Sequence, residues 1–500
     1  MQFNSIHFLI FFPVVLAVYF IVPKKLRYIW LLVASYYFYM SWNAKYAVLI
    51  AFSTVVTYLT GILIDQFSLE DNKSYALMKK LTLFIGISSN LAILFMFKYL
   101  NFATDNINAL LTSLGVTVTE RQFDLLLPVG ISFYTFQALG YVIDVYRKKI
   151  DAEYNLFRYA LFVSFFPQLV AGPIERSDNL INQLRNIHKI NLWNYERIVK
   201  GFMIMMWGFF MKVVVADRAA TVVNYVFDNY YALNSSALIL GSVFFALQIY
   251  CDFASYSTIA IGASQIMGIK LMDNFDTPYF ALSIKEFWRR WHISLSSWFK
   301  DYLYIPLGGN RKGTFRKYLN LMIVFLVSGL WHGADWTYVI WGGLHGSYQI
   351  IGDITKPFKS KLEKKLNINT NTGSYKLIKV LITFALTCFA WIFFRADSIE
   401  LAFSYISRMF TSIDPWAWTT GVLYSLSLSR QEMNILLISA FALLFVDYMK
   451  RRKNFRFENI ADNQSSWVRG LVIFVLIFVV VIFGAYGYNF DAQQFIYFQF

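Results

Sequence analysis

Cysteine, proline, histidine and charge are all scarce in this chain, and each shortage removes a class of protein. Only two cysteines, Cys251 and Cys388, stand in 500 residues, and both lie inside apolar stretches. A disulfide framework and a thiolate zinc site are therefore excluded. A buried, inert thiol is the expectation for each, rather than a nucleophile. Nine prolines leave long segments free to be helical. Charged residues make up 15% of the chain against 57% hydrophobic, a balance outside that of water-soluble domains. No Walker loop, dinucleotide fingerprint, H-E-x-x-H or G-x-S-x-G is present, so ATPases, nicotinamide enzymes, zincins and typical serine hydrolases lose support. No repeat period of about 20 to 50 residues and no low-complexity tract is visible.

What remains is a polytopic membrane protein. Mean hydropathy is +0.47, and the 19% of aromatic residues suits helices that pack against lipid and anchor at its two interfaces. Apolar runs such as 124–143, 156–172, 200–216, 232–250, 252–270, 317–332 and 334–351 predict about eleven to thirteen crossings, some of them tilted or re-entrant. The first run, from Phe3 to Val22, lacks a basic leader and a small-residue cleavage site and is expected to be retained as a helix. A single domain over 1–500 is the simplest organisation, because the polar stretches 66–78, 173–199 and 352–375 are too short to fold alone.

The formal charge of +15 falls in short clusters between apolar runs: Lys24, Lys25 and Arg27, then Arg147 to Lys149, Arg289 with Arg290, Arg311 with Lys312, and Lys450 to Lys453. That is the pattern of cytoplasmic loops facing anionic lipid, not of a nucleic-acid surface.

Segment 283–310 stands apart. Ser283 followed by Glu286 has the spacing of a capping box. Phe287, Trp291, Leu295, Trp298 and Tyr302 recur at helical intervals, beside a stripe of Trp288, His292, Leu295 and Phe299, with Lys285, Arg289, Ser296 and Lys300 opposite. An interfacial or re-entrant helix, broken at "PLGGN", is expected.

Of five histidines, His7 and His188 have no chemical context. His332 ends the run "LNLMIVFLVSGLW", about 18 Å of helix beyond Asn320; an imidazole at that depth is a functional candidate. Ser328, Gly329 and Gly333 let another group approach it. His345, in "WGGLHG", reads as a packing residue. Asp252 in "QIYCDFASYS" needs a partner, either a histidine to orient or an arginine to hold.

Taken together, "FWRRWHISLSSWFKDYLYIPLGGN", "SGLWHGADWTYVIWGGLHG", "LPVGISFYTFQALGYVIDVYR", "FFPQLVAGPIER", "QIYCDFASYSTIAIG", "WIFFRA" and the terminal "FIYFQF" resemble the membrane-bound O-acyltransferase (MBOAT) family, in its bacterial polysaccharide-acetylation branch. The resemblance spans nearly the whole chain. It implies an all-α polytopic MBOAT fold, a ring of helices around a tunnel, with catalytic-histidine helices over 317–351. It also implies catalysis by His332, with His292 as the second histidine of the pattern. Asp252, Arg289, Arg290, Asn310, Arg311 and Trp331 are the candidate supporting and donor-binding residues. The resemblance further implies no tightly bound cofactor or metal, a co-substrate such as acetyl-CoA, a partner protein and polysaccharide acceptor outside the membrane, and residence in the cell membrane. D-alanyl transfer to a wall polymer such as teichoic acid, and a transporter with proton-relaying histidines, are the alternatives.

Overall fold

The computed structural model describes residues 1–69, 72–116, 123, 127–453, 455–460, 464–486 and 495. Residues 70–71 of the polar loop 66–78, 124–126 of the run 124–143 and 496–500 of "FIYFQF" lie outside the described residues. The described elements are all helical. They form two compact units, Met1–Phe202 with Ala260–Met272, and Met203–Ile259 with Asp273–Phe500.

In the first unit the helices are α1 (Ile6–Ile21), α2 (Arg27–Met40), α3 (Ala47–Gln66), α4 (Lys73–Leu94), α5 (Leu100–Ser113), α6 (Ile131–Tyr146), α7 (Leu156–Ser164) and α8 (Ser177–Arg185). The amphipathicity of α3 is inverted relative to a helix in water. Ser53, Thr54, Thr57, Thr60 and Gly61 are buried, while Val48, Phe52, Val55, Leu59 and Leu63 are exposed. Where lipid is the solvent, small and polar residues hold helices together and apolar ones face outward. Ser53 donates to Asn90 Oδ1 of α4 at 2.5 Å, and the Tyr159 hydroxyl of α7 donates to Thr57 at 2.7 Å. The run 156–172 is not one helix: α7 ends at Ser164 and the chain turns through 165–172.

Along the chain follow α9 (Tyr195–Phe209), a π-helical segment Phe210–Ala216, α10 (Asp217–Asp228) and α11 (Ser235–Met267). The runs 232–250 and 252–270 are thus one helix of 33 residues. Asp252 gives no break, because its carboxylate is satisfied sideways by Lys212 at 2.6 Å. In the second unit come α12 (Ile284–Arg290), α13 (Ile293–Phe299), α14 (Gly313–His332), α15 (Trp336–Lys365), α16 (Gly373–Arg395), α17 (Ile399–Thr411), α18 (Arg430–Lys453) and α19 (Ser466–Phe483).

Six described helices are long and apolar enough to cross a membrane, together with shorter apolar helices at Ile6–Ile21 and Trp467–Phe483. The apolar runs alone suggest about eleven to thirteen crossings; merged runs, short or turned segments, and the lower apolarity of long helices such as α14 and α15 separate the two numbers.

Helices α14 and α15 approach backbone to backbone. A Cβ at Gly329 would collide with the Tyr338 carbonyl, and one at Gly342 with the Phe325 carbonyl. An ion pair from Lys317 to Asp353, at 2.5 Å, ties the same two helices.

A histidine and tryptophan cluster beside a cation-rimmed cavity

Half of the capping box forms: Ser283 Oγ accepts the Glu286 N–H at 3.2 Å, while the Glu286 carboxylate accepts the N–H of Leu282, one residue before the N-cap, at 2.8 Å. The helix that starts there differs from the expectation of one element. It stops at Arg290 and restarts at Ile293, with His292 between them in the left-handed conformation at φ 45°. Such a backbone costs a non-glycine residue about 1–3 kcal/mol, so the surroundings must enforce it. They do so with two backbone bonds to the stretch 273–276: Asp276 N–H to Arg290 O and Ile293 N–H to Asn274 O, both 2.9 Å. Phe287, Trp288, Trp291, His292, Leu295, Trp298, Phe299 and Tyr302 are all buried, and Lys285, Arg289 and Lys300 are exposed. The two stripes therefore keep their faces across the break.

His332 is the last residue of α14, buried at 3% exposure. Its ring lies edge-on to Trp331, Trp341 and Phe394, with centroids 4.9, 4.8 and 5.7 Å away. The Trp331 ring also meets His292, at 6.0 Å. One indole thus touches both histidines of the candidate pair.

The hydrogen-bond partners fix which nitrogen of each ring carries the proton. His332 Nδ1 lies 2.6 Å from the Ser328 carbonyl oxygen. A carbonyl only accepts, so Nδ1 donates and the lone pair sits on Nε2. His345 is the reverse: its Nδ1 accepts the Trp288 indole N–H at 3.1 Å, which places the proton of the neutral ring on Nε2. Stacked between Phe287 and Phe325, with Trp341 at 5.2 Å, His345 is built into an aromatic wall.

A cavity of about 210 Å³ opens beside this cluster. Its buried lining is Trp288, Leu295, Phe299, Phe325 and Ser328, and its exposed lining includes Lys285, Arg289 and Lys300. Ser328 is the residue whose carbonyl holds His332. The cavity therefore has cations on its exposed lining and mainly apolar side chains on its buried lining.

The remaining sequence candidates fall elsewhere. Arg290 is committed to Asp276 and Glu286 at 2.6 and 3.0 Å. Asn310 and Arg311 are exposed on the turn before α14 and do not line the cavity. Asp252 was expected to orient a histidine or hold an arginine; the 2.6 Å ion pair is instead with Lys212, which also reaches Asp217 at 3.0 Å. Lys212 is hidden from sequence reading because it stands by itself in the interior of an apolar run. His7 meets the Tyr37 hydroxyl at 3.1 Å and His188 is exposed. Cys251 and Cys388 are buried and free. Among the described residues, no group of three or more His, Cys, Asp or Glu side chains is placed to hold a metal ion.

Buried histidines thus stand near a cavity with cationic and apolar lining in a polytopic helical protein, and comparison with known proteins gives the class. Residues 147–393 match the model of the MBOAT, membrane-bound O-acyltransferase family. The chain belongs to this family and is an O-acyltransferase of the membrane. Its relatives include the "Probable alginate O-acetylase AlgI" of Pseudomonas putida, 36% identical over 512 residues and covering 100% of both chains. The "Peptidoglycan O-acetyltransferase" of Helicobacter pylori is 37% identical, covering 76% of this chain and 73% of its own. The "Teichoic acid D-alanyltransferase" of Bacillus subtilis is 26% identical, covering 53% of this chain and 68% of its own.

Proposed function

We propose that the chain moves an acetyl group from a cytosolic thioester to a hydroxyl destined for an extracytoplasmic polysaccharide, with His332 as general base. The observation that carries this reading is the cavity: three exposed cations, an apolar depth, and at its inner lining the residue that orients His332. A phosphorylated thioester such as acetyl-CoA matches it, with phosphates on Lys285, Arg289 and Lys300 and the acyl arm against Trp288, Phe299 and Phe325. Arg290 and Arg311 are left out of donor binding, since one is paired and the other lies off the cavity.

The chemistry needs no resident cofactor, because a thioester is already activated. Nε2 of His332 takes the acceptor's hydroxyl proton as the oxygen attacks the thioester carbonyl. The C–O bond forms, the C–S bond breaks, and the departing thiolate takes the proton back from the imidazolium. His292, on the other side of Trp331, orients the acceptor hydroxyl. The surrounding tryptophans and phenylalanines exclude water, which would otherwise hydrolyse the donor.

Acetyl is favoured over D-alanyl because relatives named for O-acetylation match from three quarters of the chain to all of it, against about half for the D-alanyltransferase. Transfer across the membrane through an extracytoplasmic acetyltransferase-like partner fits the place of His332 at the end of α14, about 18 Å of helix beyond Asn320. The test replaces the native chain with His332→Ala in the producing cell, verifies insertion, and measures the glycan by mass spectrometry. Loss of the acetyl increment is expected; full acetylation would overturn the role of His332, and a D-alanyl increment on the wild-type glycan would overturn the acyl assignment.

A further inference from the structure

Asn274 sits in the unremarkable stretch "LMDNFDT", and nothing in its sequence context marks it. In the structure it is buried at 1% exposure, and both ends of its side-chain amide are hydrogen-bonded. Its Oδ1 receives the Ser294 backbone N–H at 3.3 Å and the Ser294 hydroxyl at 2.9 Å, and lies 3.1 Å from His292 Nδ1. Its Nδ2 donates to Ser257 Oγ at 3.0 Å. Its backbone carbonyl takes the Ile293 N–H at 2.9 Å.

The identity of the two amide atoms follows from these partners. A backbone N–H only donates, so the atom facing Ser294 must be the oxygen, whichever way the amide is drawn. That oxygen only accepts. The Ser294 hydroxyl spends its proton on the same oxygen and so cannot donate to the ring, from which it stands 3.4 Å away. With the lone pair of Nδ1 turned toward Oδ1, two acceptors would face each other at 3.1 Å in a dry site. Nδ1 must therefore carry the proton.

We propose that Asn274 is a positioning residue that sets the tautomer of His292, holding Nδ1 protonated so that Nε2 presents the lone pair. It does so from both sides of the ring's attachment: the side chain holds Nδ1 and the backbone carbonyl holds Ile293, just after the left-handed turn at His292. Ser257 on α11 keeps the amide from flipping. His332 reaches the same tautomer through a backbone carbonyl, so both candidate histidines carry the lone pair on Nε2 by different means. The use of that lone pair in the reaction rests on the role proposed above for His292; the tautomer itself does not.

The test is nitrogen-15 NMR of the full-length chain, labelled at histidine and held in nanodiscs, with the His292 signals identified by their loss in His292→Asn. Wild type is expected to show Nδ1 protonated and Nε2 bare. Asn274→Asp keeps the acceptor and should keep that tautomer, while the acid limb of the kcat profile moves to higher pH because a carboxylate favours the imidazolium. Asn274→Leu removes the acceptor: the tautomer should become mixed and kcat should fall about 10- to 100-fold, part of what a general acid–base group contributes, with the donor KM little changed. A wild-type ring protonated on Nε2, or an Asn274→Leu ring still protonated only on Nδ1, overturns the proposal. Should Asn274→Leu fail to fold, the wild-type spectrum and Asn274→Asp decide it. Unchanged kcat in His292→Ala would remove the role given to His292 and leave the tautomer to be judged by the spectrum.

Discussion

Two regions of the second unit bury ionisable side chains, and they are stabilised in opposite ways. At Lys212, Asp217 and Asp252 the charges are paired, with the ammonium 3.0 and 2.6 Å from the two carboxylates. At His292, His332 and His345 each ring commits Nδ1 to a single kind of partner. The difference separates stability from chemistry. A buried ion pair is non-directional and can be removed as a set at little cost, whereas removing one member leaves a charge stranded. An oriented lone pair contributes little to folding and is lost as chemistry the moment the ring goes.

The comparison predicts its own largest effect at His332. His332→Ala should lower kcat for acetyl transfer by about 10²–10⁴-fold. Its Nδ1 bond is worth only about 1 kcal/mol, so His332→Gln, which keeps most of the buried bulk that Ala would remove, should lose the same activity while thermal unfolding in detergent moves little. Radiolabelled acetyl transfer and a melting curve on the same preparation check both halves. A melting point that collapsed along with the activity would erase the distinction between the regions.

Lys212→Met comes next. Two carboxylates lose their cation, at a cost of about 3–5 kcal/mol, read as a lowered unfolding midpoint. Adding Asp217→Asn and Asp252→Asn should recover most of the loss, because no charge is then left alone. Failure of the triple variant to recover would mean that the cluster acts through its geometry and not through its charge.

How far these regions were legible in the sequence follows the same division. Class and site neighbourhood rest on local signals: hydropathy for the helices, capping spacing at Ser283, periodic aromatics over 287–302, and a histidine at the end of an apolar run. Those were readable because each depends on residues a few positions apart. Lys212 and Asn274 were not, since their meaning comes from partners 40 and 18 positions away. The break at His292 was also hidden. It carries neither glycine nor proline and is imposed by the stretch 273–276 lying alongside. Likewise α11 reads as two runs around Asp252 until Lys212 is seen to satisfy it.

A smaller effect tests a carboxylate of a third kind, in the first unit. Glu175 is buried and held by neutral donors, the Met272 N–H at 2.5 Å and the Asn179 amide at 2.6 Å. Burial pushes its carboxyl from the ordinary 4.5 up to about 7, against the pull of those bonds. Between these values the folded chain holds a proton that the unfolded chain has released. Stability from this group is therefore complete below about pH 4.5 and is lost as pH rises through 7, by at most about 1.4 kcal/mol per pH unit. Glu175→Gln copies the protonated form. Its unfolding midpoint should fall less than that of wild type between pH 5 and 7; parallel curves would show that Glu175 ionises normally.

The smallest effect is expected at His345, and it sharpens the contrast between tautomers. His345→Leu keeps the bulk of the aromatic wall but strands the Trp288 indole N–H, a cost of about 1–3 kcal/mol for a buried donor. Activity should stay within about threefold, since a ring whose Nδ1 lone pair is spent on an indole has none to give a substrate proton. Steady-state kinetics beside a melting curve distinguish the outcomes. A kcat loss approaching that of His332→Ala would mean that the Nε2–H of His345 reaches the reacting atoms, and that position rather than tautomer separates the histidines.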